Sequence, residues 1–492
     1  MQRHEQIVKF LESDFQTPHY HFIAPEGKAT IFDPNGAIYW NGRYHLFYIY
    51  KDKQSETQAV YNWGHASSKD LLHWEFHPTA LSCGNNDVDR SIFSGCAVVS
   101  PAGVPTLVYF GVDAGICLAT PEDDNLIKWR KSEHNPVIPI PKQGCAGFGV
   151  YNVFDPHAWV EGDTAYMILG GNVKPYDLYD TAYLFRSKDM IHWEYLRPFY
   201  NPNPHWTNES EDCACPDFFK IGNRYMLLCI SHPAGLRYYL GRYQLETFIP
   251  EEHHRLNWPG GSCFAPESLL DESGRRIFWA WVLDQRTEYN TPDVMTMPRV
   301  LSLDKNGQLL IDVPKEFEAL RTNYRKCECV TVEAGNEISL DNISGDVMEL
   351  LCTIKPCSGS IFGIKVRVSD DLSEQTAIIV NMFNETISVD TSNSSLSKTV
   401  YRQYPIRRGR DNVDVPIQIA PFTLGVDEPL TLRIFIDKSI IEIYANRKQC
   451  ITQRIYPTLK DSVGVKLFSR CGTVEFSSID AWDIKTTNGV MR

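Results

Sequence analysis

One pattern recurs five times along the first part of the chain: a short apolar stretch, a turn that carries a glycine, and a second apolar stretch. The glycines are Gly42, Gly103, Gly162, Gly222 and Gly274, and they are separated by 61, 59, 60 and 52 residues. Strand–turn–strand units repeating at a long, nearly constant period are typical of a β-propeller, in which each period forms one four-stranded blade. The repeat therefore predicts five blades around an axis, with the innermost strands lining one central funnel.

A second repeat supports the same period. The segment SSKDLLHWE at Ser67–Glu75 returns as RSKDMIHWE at Arg186–Glu194, two periods later. A unit that occurs in two blades cannot be specific to one pocket, so we expect its aromatic side chains to pack within their blades rather than to act on a ligand. These side chains are His73, Trp74, His192 and Trp193.

The chain divides into four predicted parts. Its 492 residues exceed what one hydrophobic core usually supports. Residues 1–18 are predicted to form a helical cap, residues 19–320 the five-bladed β-propeller, and residues 321–337 a linker. Residues 338–492 alternate apolar and polar side chains, as in GIKVRVS and TLRIFID. This alternation is typical of half-buried strands and predicts a C-terminal β-sandwich, so the fold class is all-β.

Composition narrows the function classes. A formal net charge of −13 argues against a nucleic-acid partner, which would require clustered cationic side chains. The first residues lack the apolar segment of a secretion signal, and no stretch is apolar enough to span a membrane. Fourteen cysteines show neither zinc-site spacing nor a disulfide pattern. We therefore expect a cytoplasmic protein with free thiols, no bound metal and no membrane partner.

Two acidic residues occupy matching points in separate repeats. Asp33 lies 9 residues before Gly42, Asp155 lies 7 residues before Gly162, and each acid is followed by a proline. Taken alone, Asp-Pro-Asn-Gly at Asp33 is a good turn sequence. Because the Asp-Pro pair recurs two blades later, we expect both carboxylates to lie near the propeller axis.

A third acidic group, Glu209, Glu211 and Asp212, precedes the Gly222 turn. Carboxylates that converge on one funnel repel each other, and one of them then holds a proton at neutral pH. Glycoside hydrolysis requires such a set, with one nucleophilic carboxylate and one protonated acid. Metal binding by carboxylates is the competing interpretation, but no histidine has a ligand-like spacing to these residues.

Aromatic residues accompany the acids and suit a sugar site, because rings stack on the apolar faces of sugars. Two or three of six candidates are expected to touch a ligand, and the others to be blade core: Trp40, Trp63, Phe93, Trp206, Trp279 and Trp281. The predicted substrate-binding residues are Asn35, Trp63, Phe93, Ser94 and Trp281.

With these residues placed, the chain resembles glycoside hydrolase family 32, the invertases, levanases and inulinases. The resemblance is carried by HFIAPEGKATIFDPNGAIYWNGRYHLFYIY, WGHASSKDLLHWE, SIFSG, FDP, MPRVLSL and, in the second domain, RIFIDKSIIEIYANR. It implies retaining hydrolysis of terminal β-fructofuranosyl residues of sucrose or of inulin- or levan-type fructans, without a cofactor. It also implies that Asp33 is the nucleophile and that Asp155 stabilises the transition state.

Three positions depart from the family pattern and indicate a divergent branch. Phe154 stands where the family usually has arginine, and Ile49 where a polar residue is common. The Glu-Cys-Pro that supplies the family's acid/base aligns with Ala214 and the two residues after it. Glu211 is therefore predicted as the acid/base, with Asp212 as the alternative.

Other functions remain open from the sequence. A fructosyltransferase would use the same residues, and a propeller that has lost its acid would only bind sugar. An arabinan or xylan hydrolase is a further alternative, although such enzymes typically lack the sandwich and the Asp-Pro-Asn-Gly segment. The expected partner is a small, oligomeric or polymeric fructoside, and a homodimer is possible.

Overall fold

The computed structural model describes residues 14–23, 31–52, 60–286, 293–404, 413–425 and 427–489, together with residues 5, 8, 9 and 11. The predicted helical cap over residues 1–18 lies largely outside these ranges. Its continuously described part, residues 14–18, forms turns and bends. From residue 31 onward the regular elements of the described chain are β-strands, apart from one short 3₁₀ helix. Among the described residues, no helix combines the length and hydrophobicity needed to cross a bilayer.

Five antiparallel sheets, here called blades 1 to 5, follow one another along the chain. Blade 1 contains β1 (Ile31–Trp40), β2 (Arg43–Asp52), β3 (Val60–Ser68) and β4 (Glu75–Phe76). Blade 2 contains β5 (Ile92–Val99), β6 (Pro105–Gly111), β7 (Gly115–Pro121), β8 (Trp129–Lys131) and β9 (Ile138–Pro139). Blade 3 contains β10 (Pro156–Glu161), β11 (Thr164–Val173), β12 (Leu178–Ser187) and β13 (Glu194–Pro198). Blade 4 contains β14 (Ala214–Ile221), β15 (Arg224–Ser231), β16 (Gly235–Gln244) and β17 (Thr247–Arg255). Blade 5 contains β18 (Cys263–Leu270), β19 (Arg276–Val282), β20 (Val294–Met295), β21 (Arg299–Leu303) and β22 (Leu309–Asp312).

The first strands of the blades form a closed ring. Strand β1 contacts β5, β5 contacts β10, β10 contacts β14, β14 contacts β18, and β18 returns to β1. Each blade therefore presents its first strand to a common axis, which confirms the predicted propeller architecture.

The glycine turns close the first hairpins of the blades. In blade 1, Trp40 pairs with Arg43 across Asn41 and Gly42, whose φ angles are 47° and 76°. Positive φ at both central residues is the requirement of a type I′ turn, and Asn-Gly meets it at little steric cost. In blade 4, Ile221 pairs with Arg224 across Gly222 and the residue after it; only Gly222 has a positive φ, 56°, as in a type II′ turn.

The repeated SKDxxHWE unit shapes a turn in each of its two blades, but the prediction that His192 packs within its blade is wrong, because its side chain is 86% exposed. The Asp70 carboxylate accepts hydrogen bonds from the backbone N–H groups two and three residues on, and contacts Nδ1 of His73 at 2.9 Å. Asp189 makes the same three contacts, with Nδ1 of His192 at 2.7 Å. Each aspartate thus closes a tight turn at the edge of its blade.

The connection between the domains differs from the prediction. A 3₁₀ helix at Lys315–Leu320 ends the propeller, but most of the predicted linker over residues 321–337 is strand β23 (Arg321–Val332). This strand pairs along its length with the last strand of the chain. Its side chains are mostly half-exposed or exposed, because it lies at a sheet edge, and such a polar run resembles a loop in sequence.

The second domain is the predicted β-sandwich. After β23 it contains β24 (Asn336–Ser344), β25 (Val347–Lys355), β26 (Ile361–Val368), β27 (Thr376–Asn381), β28 (Thr386–Asp390), β29 (Gln403–Tyr404), β30 (Val413–Asp414), β31 (Ile417–Pro421), β32 (Leu430–Asp437), β33 (Ile440–Ala445), β34 (Gln449–Arg454), β35 (Gly464–Cys471) and β36 (Val474–Ile484). Two six-stranded sheets, in the orders β23-β36-β25-β32-β33-β34 and β24-β35-β26-β27-β28-β31, enclose one apolar core.

Buried charges join the sandwich to the propeller. The Asp437 carboxylate accepts the backbone N–H groups of residues 19, 20 and 21, just before the first blade. Glu442 pairs with Arg299 of blade 5 at 3.0 Å, and both side chains are buried. These contacts fix the sandwich against the propeller.

Candidate functional site

The innermost strands of four blades begin with a β-bulge. Their pairing with the next strand breaks after Ile31, Ile92, Ala214 and Cys263, and resumes three residues later in each case. A bulge re-aims the side chains of the unpaired residues. The bulged pairs are Phe32-Asp33, Phe93-Ser94, Cys215-Pro216 and Phe264-Ala265, so polar and aromatic side chains are directed to the same end of the funnel.

Asp33 is held by its own blade and by the next one. The Ser94 hydroxyl donates to Asp33 Oδ2 at 2.5 Å. Asn35 donates its amide N–H to the Asp33 carbonyl at 2.8 Å and accepts the Gly95 N–H at 2.9 Å. Asn35 and Ser94 are themselves buried. Both were predicted to bind substrate, and the structure places them behind Asp33, where they orient its carboxylate.

A single cysteine brings the two aspartates together. The Cys215 sulfur lies 3.5 Å from Asp33 Oδ2 and 3.4 Å from Asp155 Oδ2, and its backbone N–H donates to Asp155 Oδ2 at 2.9 Å. Cys215 and Asp155 have φ angles of 45° and 36°, in the left-handed region that costs energy for residues with a side chain. The predicted meeting of Asp33 and Asp155 at the axis is confirmed.

Both aspartates are biased towards the protonated form. Burial raises the pKa of Asp155 to about 7, and the nearby Asp33 carboxylate adds to this effect. Burial also raises the pKa of Asp33, against the opposing effects of the Ser94 and Cys215 hydrogen bonds. Two carboxyl groups this close share their titration, so one proton is retained by the pair near neutral pH.

Eight aromatic rings from all five blades close a loop around these carboxyls. Successive ring centroids are 5.1 to 6.5 Å apart. We call this loop the aromatic collar; its members in order are Phe32, Tyr61, Phe93, Phe110, Phe154, His232, Phe264 and Trp281. Six of the eight are half-buried, so apolar ring surface remains open to a ligand. Such a rim suits the apolar face of a sugar.

The predicted aromatic residues divide between collar and core. Phe93 and Trp281 belong to the collar, and their predicted contact with substrate stays a prediction. Trp63 does not: it is fully buried and donates its indole N–H to the Phe93 carbonyl at 3.1 Å. The prediction that Trp63 binds substrate is therefore wrong, because its ring is covered by blade packing. Trp279 is fully buried as well.

Glu211, predicted as the acid/base, is enclosed by cations. Its two carboxylate oxygens pair with Arg237 at 3.0 Å and Arg255 at 2.7 Å, and its side chain is 2% exposed. Burial acts to raise the pKa of Glu211, but the hydrogen bond from Arg255 and the Arg237 charge outweigh it and hold the pKa below its ordinary value. This environment favours a permanent carboxylate and is unfavourable for a proton donor.

Asp212, the alternative acid, is paired with a histidine. Its carboxylate accepts the His232 backbone N–H at 2.9 Å and contacts His232 Nδ1 at 2.5 Å. Burial acts to raise the pKa of Asp212, but the hydrogen bond and charge of His232 lower it below its ordinary value. Asp212 therefore stays ionised and holds the imidazole of His232 in place.

Sequence reasoning did not find Cys215 or His232 as members of the site. The signal for His232 was present in the hairpin that turns at Gly222. Ala214 pairs with Ile230, and continuing this antiparallel register by two residues places Asp212 opposite His232. The one-residue irregularity at Cys215-Pro216 obscures that count when only the sequence is read. Within the described ranges, no group of three or more His, Cys, Asp or Glu side chains is arranged to hold a metal ion.

Comparison with protein-family models assigns both domains to one family. Residues 21–314 match the glycosyl hydrolases family 32 N-terminal domain, and residues 316–483 match the C-terminal domain of the same family. The boundary between the two matches coincides with the 3₁₀ helix that ends the propeller.

Curated proteins similar to this chain include enzymes from plants and bacteria. The chain is 28% identical to a fructan 6-exohydrolase of Triticum aestivum, over 94% of this chain and 89% of that protein. It is 28% identical to a raffinose invertase of Escherichia coli, over 94% of both. It is also 28% identical to a sucrose-6-phosphate hydrolase of Zymomonas mobilis, over 93% of this chain and 90% of that protein.

Solved structures agree with the fold. The crystal structure of fructan 1-exohydrolase IIa from Cichorium intybus superposes with a TM-score of 0.81 at 24% identity, covering 96% of this chain and 98% of that chain. A form of that enzyme in complex with 1-kestose gives a TM-score of 0.80 at 25% identity over the same shares.

Proposed function

The chain belongs to glycosyl hydrolase family 32, and from this membership we propose that it releases terminal β-fructofuranosyl residues from sucrose or fructans with retention of configuration. Relatives over nearly the whole chain are fructan exohydrolases, invertases and sucrose-6-phosphate hydrolases. The observation that carries the proposal is the meeting of Asp33 and Asp155 at one Cys215 sulfur inside the aromatic collar.

We assign the nucleophile to Asp33. Ser94 and Cys215 both contact Oδ2, which fixes the plane of the carboxylate and leaves the Oδ1 atom for bond formation. In a retaining glycosidase this oxygen forms an ester with the anomeric carbon as the bond to the leaving sugar breaks. Water then cleaves the ester, so that two inversions give net retention.

We assign Asp155 to the stabilisation of the transition state. Its Oδ2 accepts the Cys215 N–H, and its buried position lets it accept hydrogen bonds from fructose hydroxyls in a medium where such bonds are strong. A pKa of about 7 means that Asp155 can also hold a proton while the site is empty. Substrate hydroxyls that donate to it would favour its ionised form.

The collar supports an exo-acting enzyme that takes one terminal sugar. Its rings surround the carboxyls on all sides, so a polymer reaches Asp33 by its end rather than along its length. Sucrose and the fructose ends of inulin or levan are the substrates that this shape favours.

Product analysis tests the proposal. The purified full-length protein is incubated with sucrose, sucrose 6-phosphate, inulin and levan, and released sugars are identified by chromatography. We expect free fructose, with the β-anomer appearing first by NMR. Accumulation of trisaccharides from sucrose would instead identify a fructosyltransferase, and the absence of fructose from all four substrates would refute the proposed activity.

Two further proposals concern the compartment in which the protein works and its oligomeric state. We propose that the protein works in a reducing compartment such as the cytoplasm, which is supported by the free state of all fourteen cysteines. We also propose a homodimer as its assembly. Sedimentation velocity at micromolar concentration measures the assembly, and a single species with the mass of one chain, 56.2 kDa, would exclude it.

A further inference from the structure

With Asp155 assigned to the fructose hydroxyls, the site as described has a nucleophile but no further carboxylate suited to donate a proton. The Asp33 ester can form only if the departing sugar oxygen receives a proton. Ala214, at the start of β14, is fully buried and has no ionisable group. Glu211 is held by two guanidinium groups, and Asp212 is ionised beside His232. The proton must therefore come from another group that reaches the collar.

We propose that His232, held by Asp212, is the general acid and base of this enzyme, a role that rests on the fructosidase activity proposed above. The imidazolium donates its proton to the glycosidic oxygen in the first step. The neutral imidazole then takes a proton from the attacking water in the second step.

The position of His232 is fixed by the fold. It directly follows β15, opposite Asp212, which lies two residues before β14. Both residues extend the open end of the Gly222 hairpin, the same end at which Cys215 meets Asp33 and Asp155. His232 therefore lies where the innermost strands begin, at the mouth of the funnel.

The ring of His232 is part of the collar. It packs between Phe154 of blade 3 and Phe264 of blade 5, with centroid distances of 6.1 and 5.9 Å. Its side chain is 27% exposed, whereas that of Asp212 is 15% exposed. A ligand that contacts the collar therefore meets the imidazole, while Asp212 lies behind it.

The pairing with Asp212 orients the imidazole for proton transfer. Because Nδ1 contacts Asp212 Oδ2 at 2.5 Å, the proton for transfer is carried by the other ring nitrogen, Nε2. A carboxylate behind a histidine fixes the tautomer and stabilises the imidazolium. The backbone N–H of His232 also binds Asp212, and Arg237 donates to the Asp212 carbonyl at 2.6 Å, so the pair is anchored at three points.

Several charged groups lie near His232. Asp212 contacts it directly, and the positive charge of His232 lowers the pKa of both Asp33 and Asp155, so its field reaches both carboxyls. The interaction is mutual, because each carboxylate stabilises the imidazolium. The charge of Arg237 also lowers the pKa of Asp212.

The proposed steps balance. In the first, Asp33 Oδ1 forms a bond to the anomeric carbon, the bond to the leaving oxygen breaks, and Nε2–H of His232 passes its proton to that oxygen. In the second, water attacks the anomeric carbon, the Asp33 ester bond breaks, and the water proton returns to Nε2. The enzyme ends in its starting state without any further reactant.

The test compares leaving groups in full-length variants. Sucrose needs an acid for its leaving oxygen, whereas 4-nitrophenyl β-fructofuranoside releases a stable phenolate and needs little help. We expect His232→Gln to lower kcat/KM for sucrose by about 10²- to 10⁴-fold and for the aryl fructoside by less than about tenfold. The aryl substrate should show a burst of nitrophenol followed by slow turnover, and azide should accelerate that turnover.

The chain supplies a matched control. His192 makes the same Nδ1 contact with an aspartate, Asp189, at 2.7 Å, but it is 86% exposed on the outside of blade 3. His192→Gln should leave both substrates unaffected. Asp212→Asn should show the same selectivity as His232→Gln in weaker form, and imidazole added to His232→Ala should restore sucrose cleavage.

A pH profile separates a chemical role from a structural one. In the wild type, kcat/KM for sucrose should fall on the alkaline side as His232 loses its proton, and this limb should be absent in His232→Gln. Equal losses on both substrates, or no loss on sucrose, would overturn the proposal. Selective rescue of Asp155→Asn or Glu211→Gln by the aryl substrate would assign the donor to those residues instead. A wild type that cleaves neither substrate would reject the fructosidase activity itself.

Discussion

Two pairs of buried carboxyls in this propeller behave in opposite ways. Asp33 and Asp155 meet at the funnel mouth, where burial raises the pKa of each. Asp180 lies in β12 of blade 3 and Glu211 just before β14 of blade 4; both are more completely buried than Asp33, yet the pKa of each is lowered. Burial acts in the same direction on all four groups, so the difference lies in their partners.

The partners show which pair is structural. Asp180 accepts hydroxyl groups from Tyr200, Thr207 and Tyr239 at 2.5 to 2.6 Å, and Arg237 lies between Asp180 and Glu211. Each carboxylate oxygen there accepts at least one hydrogen bond from the protein. Among the described residues, the donors at the funnel mouth are a serine, a thiol and one backbone N–H, and no cation there pairs directly with the two aspartates. A carboxylate without a protein cation is available to substrate, whereas one held by arginines stabilises the fold.

The largest expected effect on activity comes from removing the nucleophile. Asp33→Asn should lower kcat/KM for sucrose by about 10⁴-fold or more, because no other group can form the covalent intermediate. Stability should not fall, since the amide removes a buried charge whose ionisation the site disfavours. Steady-state kinetics and thermal unfolding measure the two quantities.

A large loss of stability in Asp33→Asn would weaken the assignment of Asp33 as the nucleophile. If Asp33→Asn unfolds at a clearly lower temperature, its loss of activity reports folding rather than chemistry. Near-normal turnover in a well-folded Asp33→Asn protein would exclude Asp33 as the nucleophile.

The opposite outcome is expected at Glu211. Glu211→Gln leaves Arg237 and Arg255 without their carboxylate, and breaking a buried ion pair from one side costs about 3 kcal/mol. The free energy of unfolding should fall by that amount in denaturant titrations of the propeller. Sucrose and aryl fructoside activities should fall together, if at all, because no proton-donor role is lost.

A double-mutant cycle checks that the Glu211 effect comes from the arginine. Arg255→Gln alone should also destabilise the protein, and the combined variant should lose less than the sum of the two. Additive losses would mean that the ion pair seen in the structure contributes little.

The pH dependence of stability distinguishes the two pairs further. Asp155 has an ordinary pKa of 3.8 when unfolded and about 7 in the fold. The folded state therefore binds this proton more tightly, and the stability it contributes is present below about pH 4 and is lost as pH rises through 7. Because Asp33 shares the titration, we expect Asp155→Asn to gain about 2 kcal/mol relative to the wild type between pH 5 and 8. Unfolding curves at several pH values measure the stability advantage of Asp155→Asn over the wild type. An advantage that grows as pH falls, instead of as pH rises, would contradict the assigned shift.

Much of the fold could be predicted because it depends on local rules. Glycine turns such as Asn41-Gly42 mark the positions of hairpins, and the period of these turns gives the number of blades. The alternation of apolar and polar residues indicates the strands of the sandwich. Strand β23 was missed because an edge strand buries little of either face, so its sequence lacks the alternation that marks a central strand.

The site was predictable only in part, because contacts between blades are not local. Asp33 and Asp155 were found from their matching positions in the repeat. Trp63 was chosen for its size, yet Tyr61, two residues earlier on the same face of β3, reaches the collar while Trp63 lies deeper under it. Predicting His232 from the sequence would have required the strand register across the bulge in β14, and that register is defined only by the packed strands.

The smallest expected effect concerns the hydrogen bond that orients the nucleophile. Ser94→Ala removes the donor at 2.5 Å from Asp33 Oδ2, one of the contacts that oppose the burial-driven rise in the pKa of Asp33. Losing a hydrogen bond to a charged group at about 1.5 kcal/mol corresponds to roughly a tenfold drop in kcat/KM near neutral pH. Because the pKa of Asp33 rises further, the acidic limb of the pH profile should move to higher pH, and the ratio of variant to wild-type kcat/KM should return towards one at alkaline pH. Ser100→Ala, on the turn at the other end of the β5–β6 hairpin, is the control. It should change neither kcat/KM nor the pH of the acidic limb. A uniform loss at every pH would instead mean that Ser94 positions the substrate or the strand, and that its bond to Asp33 does not set the charge of the nucleophile.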